Sequence, residues 1–250
     1  MSGHSKWASI KHKKAATDAK RGAAFTKVTR EITAAARASG GDINTNPRLR
    51  TAVARARFLN MPNVNVENAI KKGTGELPGV VYEEVTFDAY GPGGVAMLIE
   101  GLTDNKNRTT AEVRNILTKK NGSLAGAGST SWMFTSKGFI SIQKDKVSED
   151  QLMEIALEAG AEDIKTEGSY YEITSDPASL EAVKTALAAK NIPLETSELT
   201  KVPNAYVKAT GPEAKQLLGL MEALEEHEDI QQVHANFDIP EEEMEKLSEE

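Results

Sequence analysis

Residues 138–199 read GFISIQKDKVSEDQLMEIALEAGAEDIKTEGSYYEITSDPASLEAVKTALAAKNIPLETSEL, and their periodicity decides the fold. Phe139–Gln143 reads as a strand and Ser148–Glu158 as a helix. Asp163–Thr166 and Tyr170–Thr174 read as strands joined around Gly168, followed by a helix at Asp176–Ala189 and a strand at Leu194–Leu199. That order, β-α-β-β-α-β, is ferredoxin-like and complete in itself. On either side lie β-rich segments and a helix at 80–134, then a helix at 212–226 and a strand at 230–237. These two halves make one more α+β unit, so the ferredoxin-like run is expected as an insertion within it.

In the first half, Val81–Tyr90 and Val95–Glu100 flank Gly91-Pro92-Gly93-Gly94, which reads as a hairpin turn. A helix is expected from about Thr110 to Lys120, opened by the capping box Thr109-Thr110-Ala111-Glu112. The glycine-rich stretch Gly122–Gly128 reads as a mobile loop able to touch a partner.

Upstream the period is helical. From Asp18 to Ser39, Phe25, Val28, Ile32 and Ala35 fall within an arc of about 80°, and Lys20, Lys27, Arg30 and Arg37 occupy a separate arc of about 100°. Gly40-Gly41 supplies the stop. A second helix starts at Asn46-Pro47, a cap residue before a first-turn proline, with Leu49, Val53 and Ala56 as its inner stripe. A third, about Asn65 to Lys72, is expected to close at Gly73. The expected fold class is therefore α+β with three domains: an N-terminal three-helix domain followed by two ferredoxin-like-type α+β domains, one inserted in the other. The expected boundaries are 1–79, 80–136 with 202–240, 137–201, and an acidic tail at 241–250.

Charge divides along the same line. The chain of 250 residues has a net charge of −7. Residues 1–72 hold fifteen basic against four acidic groups, net +11, and the rest hold fifteen against thirty-three, net −18. With no cysteine there is no disulfide framework, thiol nucleophile or thiolate metal site, which fits a reducing compartment. No apolar run reaches the roughly 18–20 residues of a membrane span, so a soluble, cytoplasmic protein that does not engage membranes is expected.

A +11 segment suits phosphate. The arm Gly3-His4-Ser5-Lys6-Trp7 and Lys11-His12-Lys13-Lys14 joins clustered cations to an indole able to stack on an unpaired base; the alternative is a solvated tail whose Trp docks on its own helices. Asp104–Arg108 presents Lys106 and Arg108 near a helix N-terminus, where phosphate can bind, and reads equally as a polar strand-to-helix turn. The residues assigned to nucleic-acid binding are Lys6, Trp7, Lys11, Lys13, Lys14, Lys20, Arg21, Lys27, Arg30, Arg48, Arg50, Arg55, Arg57, Lys106 and Arg108. Gly91–Gly94 lacks the helix and Lys-Ser/Thr of a P-loop. His4, His12, His227 and His234 show no metal spacing, and no nucleophile elbow occurs, so no catalytic residue, metal or cofactor is expected.

Specific blocks carry a resemblance. G-H-S-K-W at Gly3–Trp7, K-H-K-K at Lys11–Lys14, D-A-K-R-G at Asp18–Gly22, F-T-K at Phe25–Lys27, N-P-R-L-R at Asn46–Arg50, G-P-G-G at Gly91–Gly94, D-N-K-N-R-T at Asp104–Thr109 and A-E-V-R at Ala111–Arg114 closely resemble the YebC family of bacterial proteins, whose mitochondrial relatives act as translational activators. The resemblance implies three domains and a cytoplasmic regulator without known catalysis, commonly classed as a DNA-binding transcriptional regulator. Members have also been linked to translation, including relief of ribosomes stalled at proline-rich stretches. No set of functional residues transfers with it, so the residues above rest on charge and position. The expected function is a non-enzymatic, nucleic-acid-binding regulator of gene expression acting on DNA. The alternatives are a ribosome-associated factor on ribosomal RNA and a protein-interaction scaffold.

Overall fold

The computed structural model describes residues 18–240 and residue 243. The fold is α+β, three helices followed by two antiparallel sheet assemblies. Helices α1 (Asp18–Ser39), α2 (Pro47–Phe58) and α3 (Asn63–Thr74) come first. Strands β1 (Glu83–Tyr90) and β2 (Ala96–Thr103), helix α4 (Lys106–Lys119) and the two-residue strand β3 (Ser123–Leu124) follow. Next come β4 (Phe134–Gln143), α5 (Glu149–Glu158), β5 (Ala161–Glu167), β6 (Tyr170–Ser175), α6 (Leu180–Ala189) and β7 (Thr196–Pro203). The chain ends with β8 (Val207–Lys208), α7 (Gly211–Glu226), β9 (Ile230–Ala235) and β10 (Phe237–Asp238). Two compact units result, one formed by Trp132–Ala205 and the other by the described residues before and after it.

The 132–205 unit has strand order β5-β6-β4-β7 with every neighbour antiparallel. That is the ferredoxin-like arrangement, first and third strands at the centre. Ile140, Ile142, Tyr171 and Ile173 alternate onto one face and meet Leu152, Ala156, Val183 and Leu187 of α5 and α6.

The other sheet has order β3-β1-β2-β9, which places the β1–β2 hairpin at its centre rather than the split strands of the ferredoxin-like plan. Val85, Phe87, Met97, Ile99 and Val233 pack on Val113 and Leu117 of α4 and on Leu217, Leu220, Met221 and Leu224 of α7. Each such side chain removed from water contributes about 1.5–3 kcal/mol. Gly93 and Gly94 turn the hairpin at φ of 69° and 74°, where a side chain is strained. The stretch expected as a loop, Gly122–Gly128, contributes the short strand β3 to β1 and ends at a buried carboxylate. Asp88, buried on β1, accepts from the backbone N–H groups of Gly128 (3.0 Å), Thr130 (2.8 Å) and Ser131 (2.7 Å) and from the Thr130 hydroxyl (2.8 Å). Burial alone would raise the Asp88 carboxyl, but these bonds outweigh it and hold it below the usual carboxylate range.

The helical core gathers Val28, Ile32, Leu49, Val53, Ala56, Val66 and Ala69. Asn46 caps α2, accepting from the Leu49 N–H at 3.0 Å, and its amide also donates to Ala35 O and Gly40 O at 2.8 Å each. One side chain, 1% exposed, thus closes the end of α1 and opens α2. Asn46→Ala is expected to cost about 2–3 kcal/mol in thermal or denaturant unfolding, one cap plus two carbonyls left unpaired.

Gly73 does not end α3. The helix continues to Thr74 and closes on Gly75 at φ 85°. A Cβ on Gly73 would stand 2.5 Å from Thr33 O and 2.7 Å from Ala36 Cβ, so this glycine permits α1 and α3 to touch. Gly73→Ala is expected to destabilise the protein by about 2 kcal/mol despite alanine's better helix propensity; equilibrium unfolding reads it directly.

Candidate nucleic-acid interface

The α2 surface is built by its own period. With Leu49, Val53 and Ala56 buried inward, about 100° per residue places Phe58 opposite them and Arg57 and Arg55 on the two flanks. Arg55 and Arg57 are exposed and have no ionic partner among the described residues. Both lie in the last turn of α2, where the negative end of the helix dipole favours cations. Arg50, also exposed, directs its guanidinium through hydrogen bonds to Ile43 O (3.2 Å) and Asn44 O (3.0 Å), which orient the charge without neutralising it. Lys106, the first residue of α4, is exposed and likewise unpaired among the described residues.

Other residues assigned from sequence have internal partners. Arg30 pairs with Asp229 and with Glu228 (3.2 Å), and its guanidinium lies 5.6 Å from the Tyr82 ring centroid. Lys27 donates to Glu225 O. Arg48 bridges Glu31 (2.8 Å) and Glu84 (2.5 Å), whose hydrogen bonds outweigh its desolvation and raise its pKa. Lys27 and Arg30 of the basic arc of α1 therefore face the acidic end of α7 and the turn after it, whereas Arg37 is exposed.

Arg108 belongs to the same arrangement. The helix it was expected to precede begins earlier: Asn105 is the cap and accepts from the Arg108 N–H at 3.1 Å. The capping box at Thr109 is therefore not used. Thr109 is buried in the second turn, and its hydroxyl reaches Asp229 (2.5 Å) and Thr103 (2.7 Å). Arg108 pairs with Asp104 and Asp229, each at 2.8 Å.

Asp229 is the centre of this cluster. It is 2% exposed and accepts from Arg30 of α1, Arg108 and Thr109 of α4, and Thr103 of β2. A register shift between Glu100 and Gly101 positions it; Asp229 O accepts from Leu102 N at 2.8 Å, and a side chain at Gly101 would strike that oxygen. Burial pushes the Asp229 carboxyl up, but the hydrogen bonds from Thr109 and Arg108 and the charges of Arg30 and Arg108 outweigh it and bring the pKa down to about 2.

Glu112, His227 and Asp229 bring three ligand-type atoms within 4.8 Å of one another. The Asp229 N–H donates to His227 Nδ1 at 3.1 Å, so Nε2 carries the proton toward Glu112 at 2.9 Å. In this arrangement His227 and Asp229 are already engaged by hydrogen bonds, His227 with Glu112 and with the Asp229 N–H, and Asp229 with two guanidinium groups.

Lys20 and Arg21 lie on α1, and nothing is described of their side chains. Lys6, Trp7, Lys11, Lys13 and Lys14 fall outside the described residues. Sequence reasoning missed two groups. Asp229 looks like one acid among many, with partners more than a hundred residues away. Phe58, 72% exposed, lies outside the apolar stripe of its own helix, and that offset was the available signal.

Two family models match the chain. One, described as the TACO1/YebC N-terminal domain, matches residues 5–76, and one for the TACO1/YebC second and third domain matches residues 82–237. A protein of Desulforapulum autotrophicum named probable transcriptional regulatory protein is 55% identical over 242 residues, covering 97% of this chain and 98% of that one. One of the same description from Geobacter sulfurreducens is 55% identical over 247 residues, covering 99% and 100%. The crystal structure of a conserved hypothetical protein from Aquifex aeolicus superposes with a TM-score of 0.84 at 46% identity, covering 94% of this chain and 98% of that chain.

Proposed function

The chain belongs to the TACO1/YebC family, and from that premise we propose that it is a non-enzymatic regulator of gene expression that binds nucleic acid through its helical domain. The observation that carries this reading is the outward arc of α2: Arg55 and Arg57 exposed and uncompensated, with the oriented Arg50 beside them, in a chain whose net charge is −7. Guanidinium groups placed this way neutralise phosphates and release their counterions, a driving force that needs no base-specific contact. Relatives named probable transcriptional regulatory protein support DNA as the polymer. The acidic remainder of the chain repels phosphate and so disfavours docking in any other orientation. Arg30, Arg48 and Arg108 serve this function indirectly, by holding the helices against the first sheet.

The test is a salt titration of binding to labelled nucleic acid. With about four phosphate contacts, affinity is expected to fall roughly 10²-fold between low and moderate salt. A flat dependence would remove the reading. A second reading, with ribosomal RNA as the polymer, draws on the exposed Lys106 at the start of α4. Recovery of the protein with ribosomes rather than with chromosomal DNA after gradient fractionation would select it.

A further inference from the structure

Resting on the reading just given, we propose that Phe58 is a stacking platform for an unpaired base, and that the α2 surface therefore takes single-stranded nucleic acid. Phe58 is 72% exposed at the last position of α2, on the side of the helix opposite Leu49, Val53 and Ala56. The ring is not part of the helical core, so the burial available to a phenylalanine there is forgone. Arg55 is its neighbour one turn back, three residues apart, and Arg57 precedes it in the chain, about 100° round the helix toward the opposite flank. An exposed ring between two uncompensated guanidinium groups matches the chemistry of a nucleotide with its base out of a stack, a π face beside phosphates. A duplex offers the phosphates but hides the base faces, and would leave the ring without a partner.

The alternative occupants fit less well. A second copy of this chain meeting face to face through Phe58 would bring four arginines together, and like charges across a twofold contact oppose it. An apolar protein surface would have to desolvate both guanidinium groups without supplying carboxylates.

The experiment measures anisotropy of the full chain with three labelled probes at low salt: a short oligo-uridine, a short oligo-thymidine and a DNA duplex. At least one single strand is expected to bind more tightly than the duplex. Phe58→Ala is expected to weaken that binding about tenfold and leave the duplex value unchanged, with the melting temperature preserved because the ring is not in the core. Phe58→Trp is expected to restore affinity and to show emission quenching by the strand beyond that of the parent protein. Equal effects of Phe58→Ala on strand and duplex, or none on either, would overturn the proposal. A dimer in solution that Phe58→Ala dissolves would also overturn it, assigning the ring to contact between copies. Loss of binding on reversing Arg55 and Arg57, with no effect at Phe58, keeps the nucleic-acid reading and removes only the stacking role. Absence of binding to all three probes removes both.

Discussion

Replacing Asp229 by alanine is expected to lower stability by about 3–5 kcal/mol, the largest effect of any single substitution considered. The carboxylate is 2% exposed, and its removal leaves Arg30, itself largely buried, and Arg108 without their shared counter-charge. Thr103 and Thr109 lose their acceptor at the same time. Adding Arg30→Met to Asp229→Ala is expected to recover part of the loss, because the second change removes the unpaired buried cation. Thermal unfolding measures both, and a loss below about 1 kcal/mol for Asp229→Ala would show that the cluster is not holding α1 against the sheet.

Acid supplies an independent check with a defined sign. The folded carboxyl titrates at about 2, below the roughly 3.9 of an unfolded aspartate. Its stabilisation, on the order of 2–3 kcal/mol, is therefore fully present above about pH 4 and is lost as pH falls through the folded value. Asp229→Asn is expected to flatten the stability profile in that window and to leave its shape near neutrality unchanged.

Reversing Arg55 and Arg57 together, Arg55→Glu with Arg57→Glu, is expected to weaken nucleic-acid binding by about 100-fold at low salt and to reduce the salt slope by about two. Both side chains are exposed and unpaired among the described residues, so unfolding should shift by less than about 1 kcal/mol. Arg108→Glu provides the contrast: any loss of binding there should arrive with a fall in melting temperature, because that guanidinium faces Asp229 and Asp104. Unchanged affinity and salt slope in the Arg55/Arg57 double variant would remove α2 as the binding surface.

Much of the fold is legible in local patterns. The Phe25, Val28, Ile32, Ala35 spacing and the glycine at 40 define α1, and Asn46-Pro47 defines the start of α2, because caps and amphipathic periods act within a few residues. The ferredoxin-like order of residues 134–203 is likewise readable, since each strand and helix announces its own period. Two boundaries misled for a physical reason. At Thr109 the motif fits a cap, but a buried carboxylate claims the hydroxyl, and Asn105 caps in its place. At Gly73 the glycine fits a terminator, but helix contact requires it within α3.

The candidate site divides the same way. That positive charge concentrates in the first 72 residues follows from composition, and the placement of Arg55 and Arg57 on the two flanks of α2, off its buried stripe, follows from their spacing in the helix. Which cations remain available was decided only by tertiary structure. Arg30 and Arg108 meet Asp229 across separations of 199 and 121 residues, and no local period encodes such a meeting. Charge is a property of each residue, whereas its neutralisation depends on which distant elements pack beside it. The sequence therefore determined that this protein has a basic helical domain, and the packing of α1 and α4 around one buried carboxylate decided which of its cations are neutralised internally.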